Sequence, residues 1–159
     1  MSIYTAKITW NNDSPDTFAK NKYSRAHTWS FDGGVSVPGS SSSHVVPTPW
    51  SDESAVDPEE AFVASISSCH MLTFLWIASR KGYVVDSYID NAVGTLEKDA
   101  DGRVSMTEVK LRPEITWVDD YVPDSNEIAT MHHAAHEGCY IANSVRTHIV
   151  VETLQAGGA

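Results

Sequence analysis

Apolar and polar residues alternate along residues 3–10, with Tyr4, Ala6, Ile8 and Trp10 on one side and Ile3, Thr5, Lys7 and Thr9 on the other. A period of two predicts a half-buried strand. After the turn-rich stretch Asn11 to Pro15, residues 23–31 read as a second strand, rich in Tyr, Trp and Phe and closed by Asp32-Gly33-Gly34. Residues 35–56 carry Pro38, Pro47, Pro49 and the run Ser40 to Ser43, the composition of a loop with a short strand at Val35 to Val37. Its length points to a function or to a covering role over a partner subunit.

The pattern then changes. Asp57 is a good N-cap, Pro58 suits the first helical position, and Glu59 and Glu60 complement the positive end of the dipole. Glu60 stands three after Asp57, as in a capping box. Gly82 is the natural stop, preceded by Arg80 and Lys81. Between Glu60 and Arg80 lie 19 residues without a formal charge. That length invites a transmembrane reading, but Ser65, Ser67, Ser68, His70 and Thr73 interrupt its middle. A soluble helix buried on nearly all sides is the better expectation.

Residues 84–97 and 103–117 return to strand periodicity, joined by the hairpin signal Asp99-Ala100-Asp101-Gly102. A second helix is predicted to begin near Asp124 or Ser125, with Ile128, Met131 and Ala135 on one face and Gly138 at its end, just before Cys139. Val145 to Leu154 alternates as a last strand, and Gln155 to Ala159 is expected to fray. Strands, helix, strands, helix, strand is an α+β order rather than an alternating one.

Composition narrows the function. A chain of 159 residues fits one domain, residues 1–159, and its 42% apolar content with five Trp supports a core. Eleven Lys plus Arg against 21 Asp plus Glu gives a net charge of −10, which repels phosphate backbones and anionic lipid, so neither nucleic acid nor a membrane is an expected partner. The start MSIYTAKITW lacks the pattern of a secretory signal, and a cytoplasmic setting is the expectation. In that setting two cysteines, here Cys69 and Cys139, more often mean chemistry or nothing than a structural staple.

Read alone, Cys69 in Ser67-Ser68-Cys69-His70 is a small apolar filler, the ordinary role of a free cysteine. Cys139 follows Gly138 at a helix–loop junction, where a thiol can move and be reached. The two belong to no CxxC pair. His132, His133, His136 and Cys139, with His70 as a further ligand, form a rival metal constellation, because His132 and His136 share a helix face. Polar histidines on a half-exposed face are its plainer reading, and a satisfied core histidine is that of His70.

The run Asp57-Pro58-Glu59-Glu60-Ala61-Phe62-Val63-Ala64-Ser65-Ile66-Ser67-Ser68-Cys69 resembles the helix segment of the OsmC/Ohr proteins, peroxidases for organic hydroperoxides. Ala135-His136-Glu137-Gly138-Cys139 resembles their second-cysteine segment, and Tyr23-Ser24-Arg25 before Asp32-Gly33-Gly34 the strand pair that holds their arginine. The resemblance implies antiparallel sheets wrapped around a long buried central helix in an intertwined homodimer. It implies Cys69 as the reactive thiol, Cys139 as the resolving one, and Arg25 with Glu59 as their electrostatic support. It also implies an organic hydroperoxide substrate, an external dithiol as reductant, and no cofactor or metal. Tyr140 after Cys139 departs from the proline common in the Ohr branch. A non-catalytic binding protein of the same fold is the alternative.

Physical chemistry explains why such a set is needed. Cys69 lies too far along its helix to gain from the N-terminal dipole, and burial alone raises a thiol's pKa. A cation must therefore be brought to it, and an arginine buried there needs a counter-charge. Glu59 stands ten residues before Cys69, about 15 Å along a straight helix, so it cannot neighbour its own Cys69. Two such helices crossing through Ala61, Ala64, Ser65 and Ser68 would set Glu59 of one chain beside Cys69 of the other. Met71, Leu72, Phe74, Leu75 and Trp76 are expected to be core or to line an apolar substrate pocket.

Overall fold

The computed structural model describes residues 1–118 and 121–153. Leu154 and the expected tail Gln155 to Ala159 lie outside the described residues. The chain divides into two compact units, residues 1–61 and 62–159.

The first unit is built on an antiparallel three-stranded sheet in the order β1 (Ala6–Thr9), β2 (His27–Phe31), β3 (Ser36–Gly39). Ile8 pairs with Trp29 and Trp29 with Val37. All four residues of β1 are exposed, so the half-buried strand expected at 3–10 is corrected to a short edge strand held by pairing. A single helical turn, α1 (Pro15–Phe18), follows the turn-rich stretch Asn11 to Pro15, in a segment for which the sequence pattern predicted no element. Its Phe18 packs with Trp10 and Tyr23, ring centroids 4.5 to 5.8 Å apart, and this aromatic cluster is what ties α1 to the end of β1.

The helix α2 (Pro58–Arg80) carries the chain into the second unit. Its predicted caps form. The Glu60 amide donates to Asp57 Oδ1 at 2.7 Å and the Asp57 amide to Glu60 Oε2 at 3.1 Å, a reciprocal box worth about 1 kcal/mol per cap. At the other end the Gly82 amide donates to the Ser79 carbonyl and the Tyr83 amide to that of Ala78, with Gly82 at φ 85°. This double closure needs a left-handed residue, which glycine adopts without steric cost.

In the second unit each long predicted strand is two strands. β4 (Val85–Asp90) pairs with β7 (Pro113–Trp117), and β5 (Val93–Lys98) with β6 (Val104–Leu111) across the Asp99–Gly102 turn. Asp90 accepts the Arg112 amide at 2.6 Å, so the two breaks, at Asn91-Ala92 and at Arg112, hold each other. The last strand, β8 (His148–Val151), pairs parallel to β6, an exception in otherwise antiparallel sheets. α3 (Ser125–Gly138) is capped by Asp124, which accepts the Glu127 amide, and buries Met131 and Ala135 as expected.

α2 supplies the second unit's core. Ile66 packs on Val109 and Leu111 of β6, whereas Phe74 and Ala78 pack on Met131 and Ala135 of α3, flanked by Val85, Tyr88 and Ile115. The buried positions Ile66, His70, Phe74 and Ala78 form one stripe at four-residue spacing. The stripe Ala64, Ser68, Leu72 and Trp76 is exposed, with Leu72 at 63% and Trp76 at 65%. The helix expected to be buried on nearly all sides is therefore covered along one face within a single chain. It carries no formal charge between Glu60 and Arg80, with mean hydropathy 1.6 over an 18-residue window, yet one chain covers only part of it.

Candidate active site

Two elements bring the thiols together. Cys69 projects from the fourth turn of α2, and Cys139 closes the C-terminus of α3, its amide donating to the His136 carbonyl. α3 packs tightly on α2 there, because a β-carbon at position 138 would lie 3.0 Å from the Thr73 methyl. Thr73, one turn after Cys69, donates its hydroxyl to the Cys69 carbonyl at 2.9 Å. Both cysteines are free thiols, and Cys69 is close enough to Cys139 to bear on its titration.

Their environments differ. Cys69 is half-buried, whereas Cys139 is fully buried at 0% exposure, which corrects the expectation of a reachable thiol at the helix–loop junction. Burial, followed by the neighbouring Cys69 thiol, pushes the Cys139 thiol up to about 11, and the Ala142 amide donating to its sulfur offsets this in part. At neutral pH Cys139 is thus a protonated thiol, and the more accessible sulfur is Cys69.

His70, the residue after Cys69, is buried at 1% exposure, and its Nε2 shares a hydrogen bond of 3.0 Å with Nδ1 of the buried His132. Burial, then the neighbouring His136, lowers the His70 pKa to about 4 against the opposing pull of Asp90. Burial and His70 lower that of His132 to about 4 as well. The pair is neutral at pH 7, one ring donating and the other accepting. This is the satisfied core histidine expected at position 70, but its partner was not foreseen. Among the described residues no three His, Cys, Asp or Glu side chains gather as metal ligands. His133 points outward to Glu137, one turn on.

Arg25 and Glu59 belong to the first unit. Arg25 precedes β2 rather than lying within it, a correction to the strand expected over 23–31. Its guanidinium donates to the Tyr23 carbonyl at 2.6 Å and to Asn21 Oδ1 at 2.6 Å, and sits 3.7 Å above the Tyr23 ring. Within one chain these neutral partners hold the arginine, and among the described residues it makes no ion pair with Glu59. Arg25 lines a cavity of about 380 Å³ with Ile8, Trp10, Phe18, His27 and Ser41. Ser41 Oγ is buried there without a hydrogen-bond partner. His27 is fixed at its edge, its Nδ1 bonded to the Arg25 carbonyl at 2.7 Å and its Nε2 accepting from Trp29. The stripe proposed as a substrate pocket is not one within the chain: Phe74 is core and Leu72 and Trp76 face outward.

Comparisons with known proteins agree with this architecture. The family described as OsmC-like protein matches residues 51–154. A solved OsmC-like protein of unknown function from Vibrio cholerae O1 biovar eltor is 52% identical, with 97% of this chain and 100% of that chain aligned and a TM-score of 0.94. The organic hydroperoxide resistance protein OhrB of Bacillus subtilis shares the fold at 20% identity, with a TM-score of 0.65 over 96% of this chain and 100% of that one. An organic hydroperoxide resistance protein from Elizabethkingia anophelis does so at 17% identity, with a TM-score of 0.66 over 96% and 95%. No curated protein matches the sequence.

Proposed function

The chain belongs to the OsmC-like protein family, and from that premise we propose that it is a cysteine-based peroxidase that reduces organic hydroperoxides to alcohols. The observation that carries the reading is the juxtaposition of one half-exposed and one buried, protonated thiol, supplied by two different helices. Two such sulfurs suit a division of labour between attack and resolution.

The Cys69 thiolate attacks the distal oxygen of ROOH. The O–O bond breaks, the alkoxide leaves and takes up a proton as ROH, and Cys69 becomes a sulfenic acid. Cys139 then attacks that sulfur, its thiol proton and the sulfenic hydroxyl leave as water, and a Cys69–Cys139 disulfide forms. An external dithiol reduces it by exchange, ending as a disulfide itself and restoring both thiols. A reducing compartment such as the cytoplasm would keep the resting pair free. No step calls for a cofactor.

Cys69 needs a cation to stay anionic. We assign that role to Arg25, with Glu59 as counter-charge, in a two-fold homodimer whose composite site takes Glu59 from the chain opposite Cys69. The exposed stripe Ala64, Ser68, Leu72 and Trp76 supports the dimer, because a helix this apolar leaves a large contiguous face for a second copy to cover. The deciding experiment is consumption of cumene hydroperoxide or tert-butyl hydroperoxide with a dithiol reductant. Many turnovers per chain, lost in Cys69→Ser, are expected; consumption that stops near one equivalent would favour a binding protein of the same fold instead.

A further inference from the structure

The buried histidine pair lies between the same two helices that carry the thiols, and the proposed chemistry leaves it without a task. His70 is adjacent to Cys69 on α2. His132 precedes Cys139 by two turns of α3, roughly 10 Å of helix. The two rings are nearly coplanar, 7° apart with centroids at 5.3 Å, and His132 also stacks on Phe74 at 4.3 Å. Position 132 thus meets residues 70 and 74 of α2, while positions 138 and 139 meet residues 73 and 69. α3 is pinned to α2 at two places, and the thiols sit at one of them.

We propose that the His70–His132 hydrogen bond is a positioning device that locks α3 against α2 and so holds Cys139 beside Cys69, where the two sulfurs can join. The inference rests on the peroxidase reading only for its use in the cycle; the positioning itself belongs to the thiol pair. A disulfide tolerates a narrow range of backbone separations, so a small rotation of α3 about Gly138 would leave the sulfurs unable to join. Apolar contacts such as Met131 and Ala135 against Phe74 hold the helices together without fixing rotation, because packing of that kind is non-directional. A hydrogen bond between two rings fixed at both ends is directional. The groups that bear on the pair are His136 on α3 and Asp90 on β4, whose Oδ2 accepts from Ser67 of α2. In the cycle, the step that depends on this lock is condensation of the Cys69 sulfenic acid with the Cys139 thiol, which forms the S–S bond and releases water. The first step, attack on the peroxide, does not need it.

The test compares two double variants. His70→Leu with His132→Leu removes both partners, which avoids stranding one buried polar group. His70→Gln with His132→Asn places amides where Nε2 and Nδ1 stood. The first readout is the equilibrium of the Cys69–Cys139 disulfide against reduced and oxidised dithiothreitol, measured by thiol trapping and mass spectrometry. It needs no peroxidase activity. The leucine pair is expected to lower the equilibrium constant about ten-fold, an upward shift of about 30 mV, and the amide pair to recover most of it. The second readout follows one equivalent of tert-butyl hydroperoxide: the leucine pair should oxidise Cys69 at the wild-type rate but accumulate its sulfenic acid in place of disulfide. A folded leucine pair with an unchanged disulfide equilibrium would overturn the proposal, as would an amide pair that fails to recover it. If the leucine pair does not fold, His132→Gln, which moves the polar group away from the Nδ1 position, replaces it under the same criteria. Wild-type protein that forms the disulfide with dithiothreitol but is inert to hydroperoxide would sink the peroxidase reading and leave the positioning device standing.

Discussion

Gly138 passes so close to Thr73 that a side chain cannot be added there without displacing the Thr73 methyl, 3.0 Å from where a β-carbon would stand. This contact seats the C-terminus of α3 on α2 one residue before Cys139. Gly138→Ala is expected to push the Thr73 methyl by a few tenths of an ångström and so shift the C-terminus of α3 on α2. It should also slow disulfide formation more than it slows Cys69 oxidation. A crystal structure of the variant and trapping of Cys69 sulfenic acid would check both parts.

The two thiols should label at different rates. With Cys139 pushed up to about 11 and fully buried, iodoacetamide at neutral pH is expected to modify Cys69 first and to reach Cys139 only after unfolding. Peptide mapping over time checks this. Equal labelling of both sites in the folded protein would contradict the burial that separates their roles.

Cys139→Ser should leave the first oxidation of Cys69 intact but remove its protection, so that Cys69 accumulates as sulfinic acid under excess hydroperoxide. Steady-state turnover with dithiothreitol is expected to fall by about ten-fold or more, an order-of-magnitude expectation for loss of an intramolecular partner. Mass spectrometry of the intact chain distinguishes this from simple inactivity.

Acid should destabilise the second unit through the histidine pair. Each ring has a folded pKa of about 4 against an ordinary 6.5, so the unfolded state binds more protons between those values. Stability therefore falls as pH drops from about 6.5 and levels off near 4, by roughly 3 kcal/mol for each histidine that must be held neutral. Urea unfolding across pH 4 to 7.5 measures the slope. Replacing the pair with Gln and Asn should flatten it.

Trp76→Asp together with Leu72→Asp puts two charges on the uncovered face of α2, where each side chain is more than half exposed in a single chain. If a second copy covers that face, sedimentation should shift from dimer to monomer and turnover should drop with it, because charges buried without partners are costly. A variant that keeps both its mass and its activity would place the interface elsewhere.

How much of this was legible beforehand follows from the range of each interaction. The capping box of Asp57 and Glu60, the Gly82 closure, the Asp124 cap and the Asp99–Gly102 turn all join residues a few positions apart, and each formed as read. The breaks inside the two long strands were not legible, because the Asp90 carboxylate that accepts the Arg112 amide is 22 residues away. The same holds for His70, whose partner lies 62 positions on, and for the burial of Cys139, which depends on where α3 lands.

The sequence alone thus determined the two long helices, their ends, most strands and the pair of residue types able to do redox chemistry, since periodicity and capping are local properties of the chain. Tertiary structure decided which sulfur is accessible, which histidine faces which, and which side of α2 stays bare. Those outcomes depend on groups far apart in the chain competing for the same buried space, and no local pattern encodes the winner.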